Sequence, residues 1–381
     1  GAQRRDLASR YCSSGLLFSV LFSVVISFFG WLYLEELLSL LGASGQTLEY
    51  ATRYAGILLP NMPVLVLGMS AAAGVRALGD ARRSMWATIA GSLVNGALDP
   101  LFIFTLGWGL EGAAWASVVA RLVVLVVAWH AIYVVHRLPR RISREEFFAD
   151  LKPLLAIATP AVLTNLATPI GGSFVLRAIS QFGDSAVAGA AIMGRITPVA
   201  LCAIFALSSA VGPIIGQNAG AGHYDRVRST LRNAMLFNVI YVLVAWGLLA
   251  LAGDGIVRVF SASDTAAELI LFYCHFLVGA SLFNGALFVS NASFNNLHHP
   301  QWATGFNFGR VFLGTIPFVY LGAHWYGAKG VLLGEALGSV IFGSLAVVAA
   351  FYLIRRLERE HVALPEPNGP DCLEVDRQAP L

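Results

Sequence analysis

The stretch "SMWATIAGSLVNGALDPLFIFTLGWGL" (residues 84–110) holds one charged side chain, Asp99, in 27 residues. A helix that crosses a bilayer needs about 20 predominantly apolar residues, and this run is long enough. A mid-membrane Asp costs roughly 2.5–3.5 kcal/mol to insert. Asp99 is therefore either a hydrogen-bonding partner for a neighbouring helix or the functional group of the segment.

Outward from this run the same pattern recurs. The chain of 381 residues is 57% hydrophobic and 12% charged, with mean hydropathy +0.70. Soluble domains carry about 25% charged residues, so lipid is the expected solvent. Ten spans are predicted, at 12–40, 52–78, 84–106, 109–136, 151–180, 185–216, 229–252, 264–293, 302–322 and 328–354. The fold class that follows is an all-α polytopic membrane protein. Cys12, Cys202, Cys274 and Cys372 are scattered without ligand-like spacing, which argues for buried thiols over zinc or a disulfide framework.

Charge alternates between loops. Eighteen of the 25 Lys and Arg lie within 4–10, 76–83, 137–152, 226–232 and 355–377, whereas the opposite loops hold only Arg53, Arg258 and Lys329. The positive-inside rule then places both ends of this chain in the cytoplasm, in a plasma or bacterial inner membrane. The polar, basic start does not read as a cleavable signal peptide.

The chain also repeats itself. "GAQRRDLASRYCSSGLLFS" (1–19) resembles "GAGHYDRVRSTLRNAMLFN" (220–238), and residues 1–54 match 220–273 at 12 positions without a gap. "GLEGAAWAS" (109–117) aligns with "GAKGVLLGE" (327–335). Two copies of one helical module in the same orientation are implied, as in many carriers. The second copy has two spans ahead of the shared loop that the first lacks, so symmetry predicts two further helices, roughly 70 residues, before Gly1. The expected domains are an incomplete first lobe of four helices at 1–138 and a cytoplasmic linker at 139–150. A second lobe of six helices follows at 151–357, then a disordered cytoplasmic tail at 358–381.

Asn95 and Asp99 are four residues apart and share one helix face. Pro100 has no N–H to give the carbonyl of Gly96, and Gly96 leaves the backbone approachable. One turn therefore offers a carboxylate, an amide oxygen and a carbonyl, the oxygen set that hard cations favour. Na⁺ at Asn95 and Asp99 is one use of it; a proton carried on Asp99 is the other.

The segments "RALGDARRSMWATIAGSLVNGALDPLFIFTLGWGLEGAAWAS" (76–117) and "VGPIIGQNAGAGHYDRVR" (211–228), with "IATPAVLTNL" (157–166), resemble the multidrug and toxic compound extrusion (MATE) family. The resemblance covers residues 1 to about 357. It implies six plus six helices in two lobes around a central cleft. It also implies an antiporter that exports organic, often cationic, compounds in exchange for Na⁺ or H⁺. The N-x-x-L-D-P form resembles the DinF-like branch, in which this Asn and Asp help to hold the coupling cation and Ser117 supplies the matching hydroxyl. The family's main acid in its first helix falls outside this chain. No cofactor is implied beyond the coupling ion. The expected partners are drug-like small molecules and the bilayer, with no nucleic acid, and the expected state is a monomer.

Glu335 stands at the repeat position of Ser117 and is a candidate proton or substrate site in the second lobe, or else a helix-end acid facing water. Arg121, Arg177, Arg195 and Arg310 fall within spans; they line an anion-binding cavity or snorkel to an interface. Arg121, Arg195 and Arg310 keep open an alternative function, a flippase for lipid-linked oligosaccharide precursors, because a pyrophosphate needs cations. "NNLHHP" (295–300) reads as a solvated turn. "GQNAGAG" (216–222) has neither a preceding strand nor a following Lys-Ser/Thr, so it is no phosphate loop. No cluster of His, Asp or Ser at one membrane face suggests an enzyme.

Overall fold

A computed structural model describes residues 5–40 and 44–362 of the chain, with side chains to residue 360. The secondary structure among the described residues is helical, without strands. The chain divides into two compact units, one ending at Ala156 and the other beginning at Ile157.

In the first unit α1 (Arg5–Leu32) breaks at Tyr33 and resumes as α2 (Leu34–Leu40). The next two helices, α3 (Gly45–Leu58) and α4 (Met62–Ala77), form one span bent by 51°. Pro60 sits in the break, where its missing N–H interrupts the ladder. Pro63 falls in the first turn of α4, where no intrahelical donor is needed. Then α5 (Ala81–Pro100) passes into a π turn at Leu101–Thr105, and α6 (Gly109–Trp129) into another at His130–Val135. Small side chains bring these helices close: Ala71, Val75, Ala87 and Ala128 pack with Leu16 and Ile132.

From the first unit α7 (Arg144–Ser180) runs on through the division at Ala156. The second unit continues with α8 (Asp184–Ala200), α9 (Cys202–Gly220) and α10 (Tyr224–Val259). Next come α11 (Asp264–Phe272), a π turn at Tyr273–Leu277, a 3₁₀ turn at Val278–Ala280 and α12 (Ser281–Asn296). The last helices are α13 (Pro300–Gly309), a π turn at Arg310–Thr315 and α14 (Ile316–Val362). One core forms around Phe294, Leu287 and Leu353. Another forms around Leu269, Ile270 and Val331.

Eight helices among the described residues are long and apolar enough to cross a membrane, and nine when α3 and α4 count as one broken span. The last of them is a run of 61 residues, Pro300–Glu360. At 1.5 Å per residue that is about 90 Å, three times a hydrocarbon core of about 30 Å. It divides at Gly327, whose φ of 59° and ψ of −142° are not helical. Each of the ten expected spans thus falls on a helical stretch. Leu251, Val259 and Phe104 stand 87%, 80% and 79% exposed, a surface suited to lipid and not to water.

The helix boundaries repeat as well as the sequence. Adding 219 to Arg5, Leu40, Gly45, Met62, Ala77 and Ala81 gives Tyr224, Val259, Asp264, Ser281, Asn296 and Pro300, each an end of the corresponding helical segment. The break at residues 59–61 corresponds to the 3₁₀ turn at 278–280. Left-handed backbone recurs at matching places: Gly79 (φ 90°) with His298 (φ 61°), and, at an offset of 218, Gly109 (φ 55°) with Gly327 (φ 59°).

At two expected boundaries the helices run further than the sequence suggests. The linker expected at 139–150 becomes helical at Arg144, because Ser143 and Glu146 form a capping box: Ser143 N donates to Glu146 Oε2 (3.0 Å) and Glu146 N to Ser143 Oγ (3.1 Å). The segment is also fastened to α1. Asp150 is fully buried, accepts from Arg10 Nη2 at 2.6 Å and from Ser14 Oγ at 2.7 Å, and Arg140 N donates to Ser13 Oγ at 2.8 Å. At the other end α14 continues to Val362, into the expected tail, helped by an i,i+4 pair between Arg356 and Glu360 at 2.8 Å. The rest of that tail, 363–381, lies outside the described residues, as does Cys372. Cys274 is buried as expected, but Cys202 is exposed on α9; a thiol is apolar enough to face lipid.

The loop before α5 carries a charge cluster. Asp80 caps α5 by accepting from Arg83 N at 3.1 Å, and His136 Nε2 lies 2.9 Å from its Oδ2. The Arg83 guanidinium first, then the Arg83 amide and His136, hold the Asp80 carboxyl down at about 2.

Candidate cation and substrate sites

Asn95 and Asp99 project from the last turns of α5, both partly buried. Asn95 Nδ2 donates to Asp99 Oδ1 at 3.3 Å. Asp99 forms no ion pair with any described residue. Nothing lies within 4 Å of where a Gly96 side chain would begin, so its backbone is open to approach. Beyond Pro100 the chain takes wider π hydrogen bonds, Leu106 N to Leu101 O at 2.9 Å, and Phe102 packs on Trp108 at 5.1 Å between ring centroids. π turns concentrate at functional sites.

Two glycines set the register of α6 against α5. A Cβ on Gly91 would meet Val124 and, at 3.1 Å, Ala120 O; one on Gly112 would lie 2.8 Å from the carbonyl of Phe102. The helices are thus antiparallel, and Ser117 falls level with the turn between Asn95 and Asp99. Its side chain is partly buried. The three residues singled out from the sequence share one level of the first unit.

In the second unit Glu335 sits on α14 between Gly334 and Gly338, which meet the backbones of Phe318 and Gly314. It is partly buried and forms no ion pair among the described residues. Arg310 and Glu335 form no ion pair with each other. Arg310 Nε is buried and finds no hydrogen-bond partner among the described residues. Also in the second unit, the Tyr273 hydroxyl meets Thr197 Oγ1 at 2.6 Å.

The MatE family model matches residues 1–101 and 160–321, more than half of the chain. This chain belongs to the MatE family. As a MatE protein it is a membrane transporter with the family's two-lobed helical fold. It is 28% identical over 363 residues to the FAD transporter of Shewanella oneidensis, covering 94% of this chain and 79% of that one. It is 24% identical over 374 residues to multidrug export protein MepA of Staphylococcus haemolyticus, covering 94% and 80%. Among solved structures it superposes on a MOP superfamily transporter from Pyrococcus furiosus with a TM-score of 0.87 at 22% identity, over 94% of this chain and 81% of that one.

The membrane-embedded arginines of this MatE chain have distinct settings. Arg121 Nη1 donates to Leu58 O at 3.3 Å, closing the end of α3 at its bend; that is a structural use. Arg177 is exposed in the last turn of α7. Arg195 lines an open groove between α8 and α10. His298 and His299 belong to the turn before α13, where His299 Nδ1 lies 2.8 Å from Leu297 O. The Arg10–Asp150 pair, the Thr197–Tyr273 pair and the Arg195 groove emerge only in three dimensions. Their partners lie 140, 76 and about 50 residues apart, and no local pattern announces them.

Proposed function

We propose that this MatE protein is a secondary antiporter that exports organic, lipophilic or cationic compounds in exchange for Na⁺ or H⁺ by alternating access. The observation that carries the reading is Asp99: a carboxylate within a span that, among the described residues, has no ion pair and is hydrogen-bonded only by Asn95. Turning the Asn95 amide brings its oxygen beside the carboxylate, and the open Gly96 backbone and Ser117 complete an oxygen-lined place for a small cation. Glu335 is the proton or substrate site of the second lobe. A cation crossing through 100 mV yields only about 2.3 kcal/mol per charge, so its concentration gradient supplies the remainder. Basic loops put both ends of the chain on the cytoplasmic side. The likeness to an export protein supports outward transport of drug-like molecules.

The test is ethidium efflux in membrane vesicles under an imposed Na⁺ or H⁺ gradient. Asp99→Asn keeps size and hydrogen bonding but removes the charge, and is expected to cut gradient-driven efflux at least tenfold with expression unchanged. Efflux at the normal rate would show Asp99 to be structural. The buried Arg310 Nε, without a hydrogen-bond partner among the described residues, favours a second reading, a flippase for lipid-linked oligosaccharide precursors. Unchanged drug tolerance with defective cell-surface polysaccharide in a deletion strain would select it.

A further inference from the structure

Between α8 and α10, within the second unit, runs an open groove of about 580 Å³, and its wall residues Val199, Val244 and Leu248 are exposed. Its walls are almost wholly aliphatic and aromatic, including Val199, Val244, Leu248 and Phe260, with Tyr241 at one end. The Tyr241 hydroxyl is already committed to Ala200 O at 2.9 Å. One charged side chain, Arg195, lines the space. Arg195 forms no hydrogen bond or ion pair with any described residue. We propose that this groove binds an amphiphilic organic anion, its apolar body against Val199, Val244 and Leu248 and its sulfonate or carboxylate on the Arg195 guanidinium.

Three arguments support this occupant. The volume falls in the range of small-molecule pockets, about 300–1,000 Å³, and such pockets pair apolar walls with a few polar groups that fix orientation. Arg195 is exposed on the groove, so an anion can reach its guanidinium, and its planar fork suits an oxyanion. Depth argues against a phospholipid headgroup. Arg195 lies eleven residues into α8, about 16 Å along the axis at 1.5 Å per residue, a distance comparable with half of a hydrocarbon core of about 30 Å.

The inference goes beyond the proposed antiport, and its failure leaves the role of Asp99 untouched. The probe is dansylate, a lipophilic sulfonate, with uncharged dansylamide as control. Binding is measured by equilibrium dialysis against the whole protein in nanodiscs, with empty nanodiscs as blank. Saturable dansylate binding is expected, with affinity at least tenfold above that of dansylamide. Arg195→Met should remove that tenfold preference and leave dansylamide binding intact, which also reports that the groove is still folded. Arg195→Lys should keep most of the preference, and Val199→Trp should fill the groove and weaken both probes. Equal binding of dansylate to wild type and Arg195→Met overturns the proposal. So does a phospholipid that copurifies at one per chain, is lost in Arg195→Met and resists displacement by dansylate.

Discussion

Single residues in this chain owe their character to neighbours that are near or far in sequence. Asp80 shows the near case. Its carboxyl is ordinarily at 3.8 and is held at about 2 by Arg83 and His136. A lowered value in the folded state means a contribution to stability that is complete above the unfolded value and fades as pH falls toward the folded one. The melting-temperature gap between wild type and Asp80→Asn should therefore be constant above about pH 5, shrink below about pH 4, and close only below about pH 2. A gap independent of pH would mean that Asp80 acts only through shape. Asp150 shows the far case. Its sequence setting, "SREEFFADLK" (143–152), reads as solvated linker, yet it is fully buried against Arg10 and Ser14. A contact across 140 residues leaves no local mark. The Asn95–Asp99 pairing, by contrast, was legible because helix geometry alone places i and i+4 together.

At the scale of elements, hydropathy located the spans because lipid imposes one requirement on every one of them. The repeat located their correspondence. What escaped was the internal grain of the helices. Pro60 announces the bend between α3 and α4, but the matching turn at Val278–Ala280 and the π turn at Tyr273–Leu277 before it contain no proline. They follow from packing, as Gly253 and Gly279 bring Cys274 and Trp246 against neighbouring backbone. Glycine contacts also hold the candidate cation site in register. An added methyl on Gly112 would stand 2.8 Å from backbone atoms of Phe102, which cannot swing aside as a side chain can. Gly112→Ala should force α5 and α6 apart and cost roughly 1–3 kcal/mol. In purified protein the melting temperature should fall, and efflux should weaken because Ser117 is displaced from Asn95 and Asp99. Unchanged melting and transport would show that the two helices are free to adjust.

At the scale of the whole molecule, the two units carry helix ends that correspond at a nearly constant offset. Each unit is thereby a record of which backbone conformations the architecture demands, independent of the side chains that happen to occupy them. Where the two copies differ, the more comfortable one can serve as a template for the other. The turn before α5 uses Gly79 at φ 90°, while the turn before α13 uses His298 at φ 61°. Left-handed backbone costs a side chain roughly 1–2 kcal/mol, and glycine returns about 0.5–1 kcal/mol of that as unfolded-state freedom. His298 is exposed, so its replacement sacrifices little packing. His298→Gly should raise stability by about 0.5–1 kcal/mol, read as a higher melting temperature, and a lower one would refute the idea. The repeat thus serves as a repair manual: one half shows, position by position, how to relieve the strains that the other has kept.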